Sequence, residues 1–453
     1  MSALGKANAN PKKAFFVQTI TRDISFEDCI LDLIDNSIDG AWQQEGGRRI
    51  SLTGGKTLSK YVIDIEVSED SFRIRDNCGG ISLDDAANYA FTFGRDLETD
   101  SDRYSIGVYG IGMKRAIFKI GKLINITSTY KAKKNLKVVE SFSVPINVGR
   151  WLDQDKEGSW DFDIESADHL SEPGVEIKID DLNEGASALF SSPLFLVNLQ
   201  RVIARDYALH LHRGLTIRLN GSRIAGWQIQ LRQSGDFEPL SVEYADEIND
   251  DEVSVQIVAG MAAPPPESSE PDAFNDDRSG WYVVCNGRIV LAADKGPSSG
   301  WGSEQWPRWH PQYAGFIGIV IFSSENAAAL PLTTTKRNVD VASPVYRRAL
   351  PRMRDVSRSW ISYTNNRKTS LVQAKKLESQ AKPLSLFKVR QRDSAVFPAF
   401  EPKPKVRIAN IAYSMPLTKV RELAQALGDI NLSFKDVGIK SFEYTYEQHV
   451  GEE

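Results

Sequence analysis

The chain has 453 residues, 41% of them hydrophobic and 25% charged, which is enough for two to four domains with real cores and excludes a disordered or fibrous protein. Its 55 Lys and Arg against 60 Asp and Glu give a net charge of −5, so any polyanion contact is confined to a local basic cluster. Cys29, Cys78 and Cys285 share no C-x-x-C spacing, which excludes a disulfide scaffold and a cysteine zinc site and fits a reducing compartment.

In chain order, Met1 to Lys13 lack the apolar centre of a signal peptide. No later run reaches the ~18 apolar residues of a membrane span, so a soluble cytoplasmic protein is expected. Ser25, followed by Glu27 and Asp28, predicts a capped helix start before Ile30. Tyr61 to Val67 and Ser71 to Arg75 predict a hairpin that runs into Asp76-Asn77-Cys78-Gly79-Gly80. Strands are predicted at Lys122 to Lys131, Leu136 to Val148 and Val175 to Asp180.

A second αβ region follows, with a helix at Leu194 to Leu211 and strands at Leu215 to Leu219, Val253 to Ala259, Trp281 to Val284 and Phe316 to Phe322. Pro264 to Asp277 reads as an exposed loop. From Pro344 to Asn410 there are 16 Lys and Arg against 4 Asp and Glu, with Trp360 and Tyr363 interleaved, a pattern open to a solvated basic helix or a nucleic-acid contact. Prolines 383, 398, 402 and 404 suggest a linker, Pro416 to Leu427 a short helix and Ser441 to Tyr446 a last strand.

Three motifs carry chemistry. On the first helix Asp32, Asn36 and Asp39 share a face, where a carboxamide could take a hard cation while a carboxylate orients water. After the hairpin, Asp76 could accept from an exocyclic amine while Gly79 and Gly80 let a planar ring approach the backbone. Gly107-Val108-Tyr109-Gly110-Ile111-Gly112-Met113-Lys114 opens a predicted helix and offers backbone N–H groups and Lys114 to phosphate. Gly54-Gly55-Lys56-Thr57 imitates a Walker A ending, but Ile50 stands where its first glycine is required.

In this order and spacing the three motifs resemble the ATP-binding fold of the GHKL superfamily: gyrase, the ninety-kilodalton heat-shock chaperones, sensor histidine kinases and MutL, with the MORC ATPases close by. The wording of Asp32 to Asp39 and of Gly107 to Lys114 is nearest to MutL and MORC-like proteins. The resemblance implies an α+β fold: a two-layer α/β sandwich over 1–185, a transducer-like α/β domain over 186–345, a basic helical linker over 346–400 and a small αβ region over 401–453. It implies ATP and Mg²⁺ as cofactors, with Asn36 on the metal, Asp32 at the position of the general base, Asp39 in support, Asp76 on the adenine amine and Gly80 beneath the ring. Gly107, Gly110, Ile111, Gly112 and Met113 then form a lid, with Lys114 on the phosphates.

In the transducer region the same resemblance assigns Lys336, with Arg337 as competitor, to the γ-phosphate, and Asn286-Gly287-Arg288 to a hairpin turn. Departures are Asp32 where the family has Glu, Cys78 for a glycine, and Val175 for a threonine that helps read adenine. ATP binding with slow hydrolysis, an ATP-dependent homodimer and a DNA-related task are therefore expected. The rival is a nucleotide-binding module with little turnover that regulates a separate effector protein.

Overall fold

The computed structural model describes residues 12–47, 52, 55–93, 104–107, 110–132, 135–154, 160–267, 277–333, 335–400 and 409–451. Much of the loop expected at Pro264 to Asp277 lies outside these residues. The chain forms two compact units, Met1–Glu401 and Pro402–Glu453.

The first unit begins with helices α1 (Lys13–Arg22) and α2 (Phe26–Gln44), then β1 (Val62–Val67), β2 (Ser71–Asp76), the short α3 (Leu83–Asp85) and α4 (Gly112–Ile120). Next come β3 (Gly121–Ala132), β4 (Asn135–Asn147), α5 (Val148–Asp153), β5 (Glu165–Ser166), β6 (Gly174–Leu182), α6 (Glu184–Phe190), α7 (Pro193–Asp206), α8 (Ala208–His212), β7 (Thr216–Leu219) and β8 (Ser222–Arg223). Eight strands make one mixed sheet in the order β5-β4-β3-β6-β2-β1-β7-β8. Residues of β1 and β2 alternate between buried and more open positions, so one face packs under helices and the other carries charges such as Arg73, paired with Glu66 and Glu176. The α+β class and the two-layer sandwich expected for residues 1–185 are therefore present.

The expected boundary at 185 needs correction. β7 pairs in parallel with β1, Val62 opposite Thr216 and Ile65 opposite Leu219, so the first sheet is completed only by residues beyond 215. A short strand after a helix was legible, but its partner 154 residues upstream carried no local signal.

A second sheet follows β9 (Gln230–Gln233). It contains β10 (Leu240–Ile248), β11 (Asp251–Met261), β12 (Gly280–Cys285), β13 (Arg288–Asp294) and β14 (Phe316–Ser324), in the order β10-β11-β14-β12-β13. β14 is buried along its whole length, and its alternate residues enter two cores: Ile317, Ile319 and Ile321 face the first sheet's core, whereas Phe316, Val320 and Phe322 join a second. Burial on both faces explains its unbroken apolar sequence.

The second core is closed by α9 (Pro344–Arg367), which makes the first part of the basic helical segment expected at 346–400 a core element. Val345, Ala349, Met353, Val356, Trp360 and Tyr363 recur at helical spacing and are buried. Trp360 and Tyr363 are thus core residues, and the Trp360 Nε1 donates to the Tyr313 carbonyl at 2.9 Å. α10 (Leu371–Gln380) and β15 (Lys382–Ser385) follow, with β15 paired to β9.

The second unit holds α11 (Leu417–Ala426) and α12 (Phe434–His449). The strand expected at Ser441 to Tyr446 is part of α12. The alternation of Phe442, Tyr444 and Tyr446 imitates a strand, but the Ser433 hydroxyl accepts from the Asp436 N–H at 3.1 Å and caps a helix. On that helix Phe442 and Tyr446 stack one turn apart. Among the described residues no single helix is long and apolar enough to cross a membrane.

Candidate functional site

The Ser25 hydroxyl accepts from the Asp28 N–H at 3.0 Å and starts α2, as its sequence predicts. Between Cys29 and Ile38 every residue of α2 is buried except Asn36, which stands open to solvent above the motif. Asp32 is buried beneath it, and its Oδ2 accepts from Arg115 of α4 through Nε at 2.8 Å and Nη2 at 2.6 Å. Gly112, the first residue of α4, lies so close that a Cβ would sit 3.3 Å from the Asp32 Cγ, so the glycine brings a helix N-terminus up to this carboxylate.

Asp35 was not singled out by the sequence, yet it is the most enclosed acid here. Its Oδ2 accepts from Lys336 Nζ at 2.9 Å and from Arg288, and its Oδ1 accepts from the Tyr207 hydroxyl at 2.7 Å. Burial alone would raise this carboxyl; the Arg288 and Lys336 charges outweigh it and hold the group below the usual carboxylate range. Lys336 lies 3.3 Å from Asp32 Oδ1 as well, and these two acids keep its ammonium above the ordinary lysine value despite burial. The Lys336 backbone is left-handed, φ 54°, in a turn closed by its N–H to the Thr333 carbonyl at 2.9 Å. Arg337 points elsewhere and binds Glu27 and Asp28 at the start of α2 together with Asp206 of α7. Of the two competitors at this turn, Lys336 is the one beside Asp32.

Asp39 keeps some solvent exposure, but its carboxylate accepts from the Ile106 N–H at 2.8 Å and the Gly107 N–H at 3.0 Å, which anchors the start of the glycine-rich segment. Enclosure by protein pushes its carboxyl up to about 7, against the opposing pull of those two N–H groups. The same segment is tied to the second sheet: Tyr104 N–H donates to the Glu325 carbonyl at 3.0 Å and Asn286 Nδ2 to the Ser105 carbonyl at 2.9 Å. Gly110 has φ 63° and Ile111 caps α4, while Val108 and Tyr109 lie outside the described residues. Met113 is half-buried, and Lys114, expected on phosphate, is buried with its Nζ donating to the Ala90 carbonyl at 3.1 Å. Arg115, one residue on, is the cation of this segment that reaches Asp32.

Asp76 ends β2, buried. Its Oδ2 accepts from Ser37 Oγ of α2 at 2.6 Å, and its Oδ1 accepts from the N–H groups of Cys78 at 2.8 Å and Val175 at 3.2 Å. Burial raises this carboxyl above its ordinary value in spite of those bonds. Ser37 thus places a hydroxyl beside Asp76, where position 175 contributes only its backbone N–H. Gly80 has φ 75°, and a Cβ there would come within 2.1 Å of the Thr129 carbonyl oxygen, so only glycine fits this turn. At Gly174 a Cβ would lie 2.0 Å from the Asp76 carbonyl oxygen, which makes glycine the condition for β6 to approach β2.

The site therefore joins an open carboxamide, two compensated buried carboxylates, a helix N-terminus with glycines, and a buried acid beside a backbone without side chains. This donor set fits a purine held at Asp76 and a Mg²⁺-bound polyphosphate held between Asn36 and α4. Among the described residues no group of three or more His, Cys, Asp and Glu side chains could hold a metal ion. Asp35, Arg115, Arg288, Ser37 and Tyr207 escaped the sequence reading. The one local signal was an acid, Asp35, within an otherwise apolar face.

Residues 24–151 match the family model described as histidine kinase-, DNA gyrase B- and HSP90-like ATPase. No curated protein matches the chain.

Proposed function

We propose that this chain, which contains a GHKL-type ATPase domain at residues 24–151, is an ATP-gated switch whose second sheet reports the state of the nucleotide. The observation that carries the reading is Lys336. A lysine some 300 residues downstream of Asp32 stands 3.3 Å from that acid, where a terminal phosphate would compete with Asp32 and Asp35 for its ammonium. Bound Mg·ATP would supply the phosphoanhydride to be broken. Asn36 is the residue to hold the metal and Asp76 the one to accept from adenine, above the turn that Gly80 permits. The amides of Gly110, Ile111 and Gly112 would face the phosphates.

Asp32 takes the place of the base that orients water, and for this it must be released from Arg115. Drawn to phosphate, Lys336 leaves Asp35 to Arg288 and the Tyr207 hydroxyl and so loosens the junction of α2 with the second sheet. Asp39 and Asn286 hold the lid's first residues from either side, so lid ordering and sheet position are coupled. By analogy with MutL and MORC-like proteins, two chains meet through their N-terminal regions while nucleotide is bound, and the work concerns DNA, in genome maintenance or defence against foreign DNA. The three cysteines, all buried and free, suit a reducing cytoplasm.

The second reading, a binding module with little turnover that regulates an effector protein, is favoured by one observation: both Arg115 donors engage the Asp32 carboxylate. Single-turnover assays with excess protein separate the two, since tight binding without product over hours supports the module. The switch is tested by light scattering with no nucleotide, with Mg·ADP and with a non-hydrolysable Mg·ATP analogue, on wild type and Asn36→Ala. A dimer seen only with the analogue and lost in the variant is expected; an unchanged mass in every state overturns the switch.

A further inference from the structure

Several of the cations expected to make the stretch after 344 basic are engaged: Arg348 with Asp246, Arg352 over the Tyr244 ring, Arg367 with Glu378 and Lys375 with Glu267. One stripe differs. Arg347, Arg354, Arg358 and Asn365 share a face of α9, and Lys368 continues it just past the helix end. The segment between β13 and β14 runs along this stripe in step: Glu304 and Ser303 meet Arg354, Trp306 lies 5.2 Å from the Arg358 guanidinium, and Gln312 bonds Asn365 at 2.8 Å and Lys368 at 2.6 Å.

This segment is anchored by Trp301, 2% exposed, which stacks on Tyr313 and meets the edge of Trp309. Trp306 and Trp309 are only half-buried, Lys295 lies 5.5 Å from the Trp309 ring, and Arg308 between the two tryptophans is exposed with no acidic partner among the described residues. The acids that face the cations are Glu304, held by Arg354, and Asp355, held by Arg358. Asp294 is turned into the base of the segment, where the N–H groups of Gly296 and Ser299 satisfy it. The surface is therefore positive, and part of two indole rings opens within it.

We propose that the Trp306–Trp309 segment and the Arg347–Lys368 face of α9 form a binding surface for single-stranded nucleic acid. Arg308, Arg358 and Lys368 meet phosphates, while the indoles meet bases that a duplex keeps stacked out of reach. An acidic protein would use the cations alone, which makes the tryptophans the discriminating element. The inference deepens the switch by naming its partner.

The test uses the full chain and fluorescein-labelled 20-mers of oligothymidylate and oligouridylate, with a duplex of the same length and poly-glutamate as competitors. Fluorescence anisotropy across 50–200 mM salt should show oligothymidylate binding with log K falling against log salt by about 0.7 per phosphate neutralised. Arg308→Glu with Arg358→Glu should weaken it by about tenfold or more and flatten that slope. Trp309→Leu should weaken it roughly tenfold at an unchanged slope, and Trp309→Phe should restore most of the loss. Titration of Mg·ATP on the same samples shows that each variant is folded and keeps failure of the surface distinct from failure of the switch. Equal competition by poly-glutamate, tighter binding of the duplex, or charge reversal without effect each overturns the proposal. The ratio of oligothymidylate to oligouridylate affinity then assigns the strand as DNA or RNA.

Discussion

Helices α2 and α9 look alike as sequences, long and charged with an apolar stripe, yet their charges have opposite fates. On α2 the acids face inward, where Asp32 and Asp35 are compensated by Arg115, Arg288 and Lys336 from three distant segments. On α9 the apolar stripe faces inward and most arginines remain outside, Arg348, Arg354 and Arg358 beside acids and Arg352 over a ring, whereas Arg367 is buried with Glu378. A charge on a helix says little about its use until its neighbours are known. The informative residue is the ionised one inside, because burial has to be offset by partners of opposite sign.

The largest effect that would break this comparison is expected at Asp35. Asp35→Ala leaves Arg288 without its carboxylate partner and Lys336 with Asp32 alone in the interior, and should cost about 3–5 kcal/mol in urea unfolding. A loss below about 1 kcal/mol would mean that this cluster is no more integral than the α9 surface. Arg367→Ala, at the one place where α9 buries an ion pair with Glu378, should come next at about 2–4 kcal/mol, which would show that burial rather than helix identity sets the scale.

Asp39 sharpens the contrast through pH. Its carboxyl, raised to about 7, binds more protons in the folded than in the unfolded chain, so its stabilising contribution is complete below about 3.8 and is lost as pH rises through 7. Denaturation of wild type and Asp39→Asn at pH 5 and pH 8 should show that decline in wild type and a flatter profile in the variant; parallel profiles would remove Asp39 as the cause. The smallest change belongs to the exposed Arg358, whose acidic partner Asp355 is exposed too, where Arg358→Ala should alter stability by less than about 0.5 kcal/mol.

How much could be read beforehand follows the same division. Strands β1 to β4, β6 and β14 and the start of α2 were legible because alternation, apolar runs and Ser25 are local signals. Asp32, Asn36, Asp39, Asp76 and the glycines were legible as an ordered set of motifs. The partners were not: Arg115, Arg288 and Tyr207 reach α2 from 83 to 253 residues away, and no spacing announces them. The segment at 346–400 was expected to be basic and helical or a linker; the helix is there as α9, but composition alone did not show that it closes a core. Arginines stand between its apolar residues, but Val345, Ala349, Met353, Val356, Trp360 and Tyr363 recur at helical spacing and mark the buried stripe.

The pairing of β1 with β7 has a consequence for how the chain comes into being. A ribosome must release residues beyond 219 before the first sheet can close, and residues as far as 336 before Asp35 meets both of its cations. A recombinant fragment that stops at 185 would present an open β1 edge and an unbalanced carboxylate, and it would be expected to aggregate on expression. One that runs to about 400 ends where the first compact unit ends and should purify as a folded protein. The sheet that carries Asp76 is, in this sense, finished by residues far downstream of it.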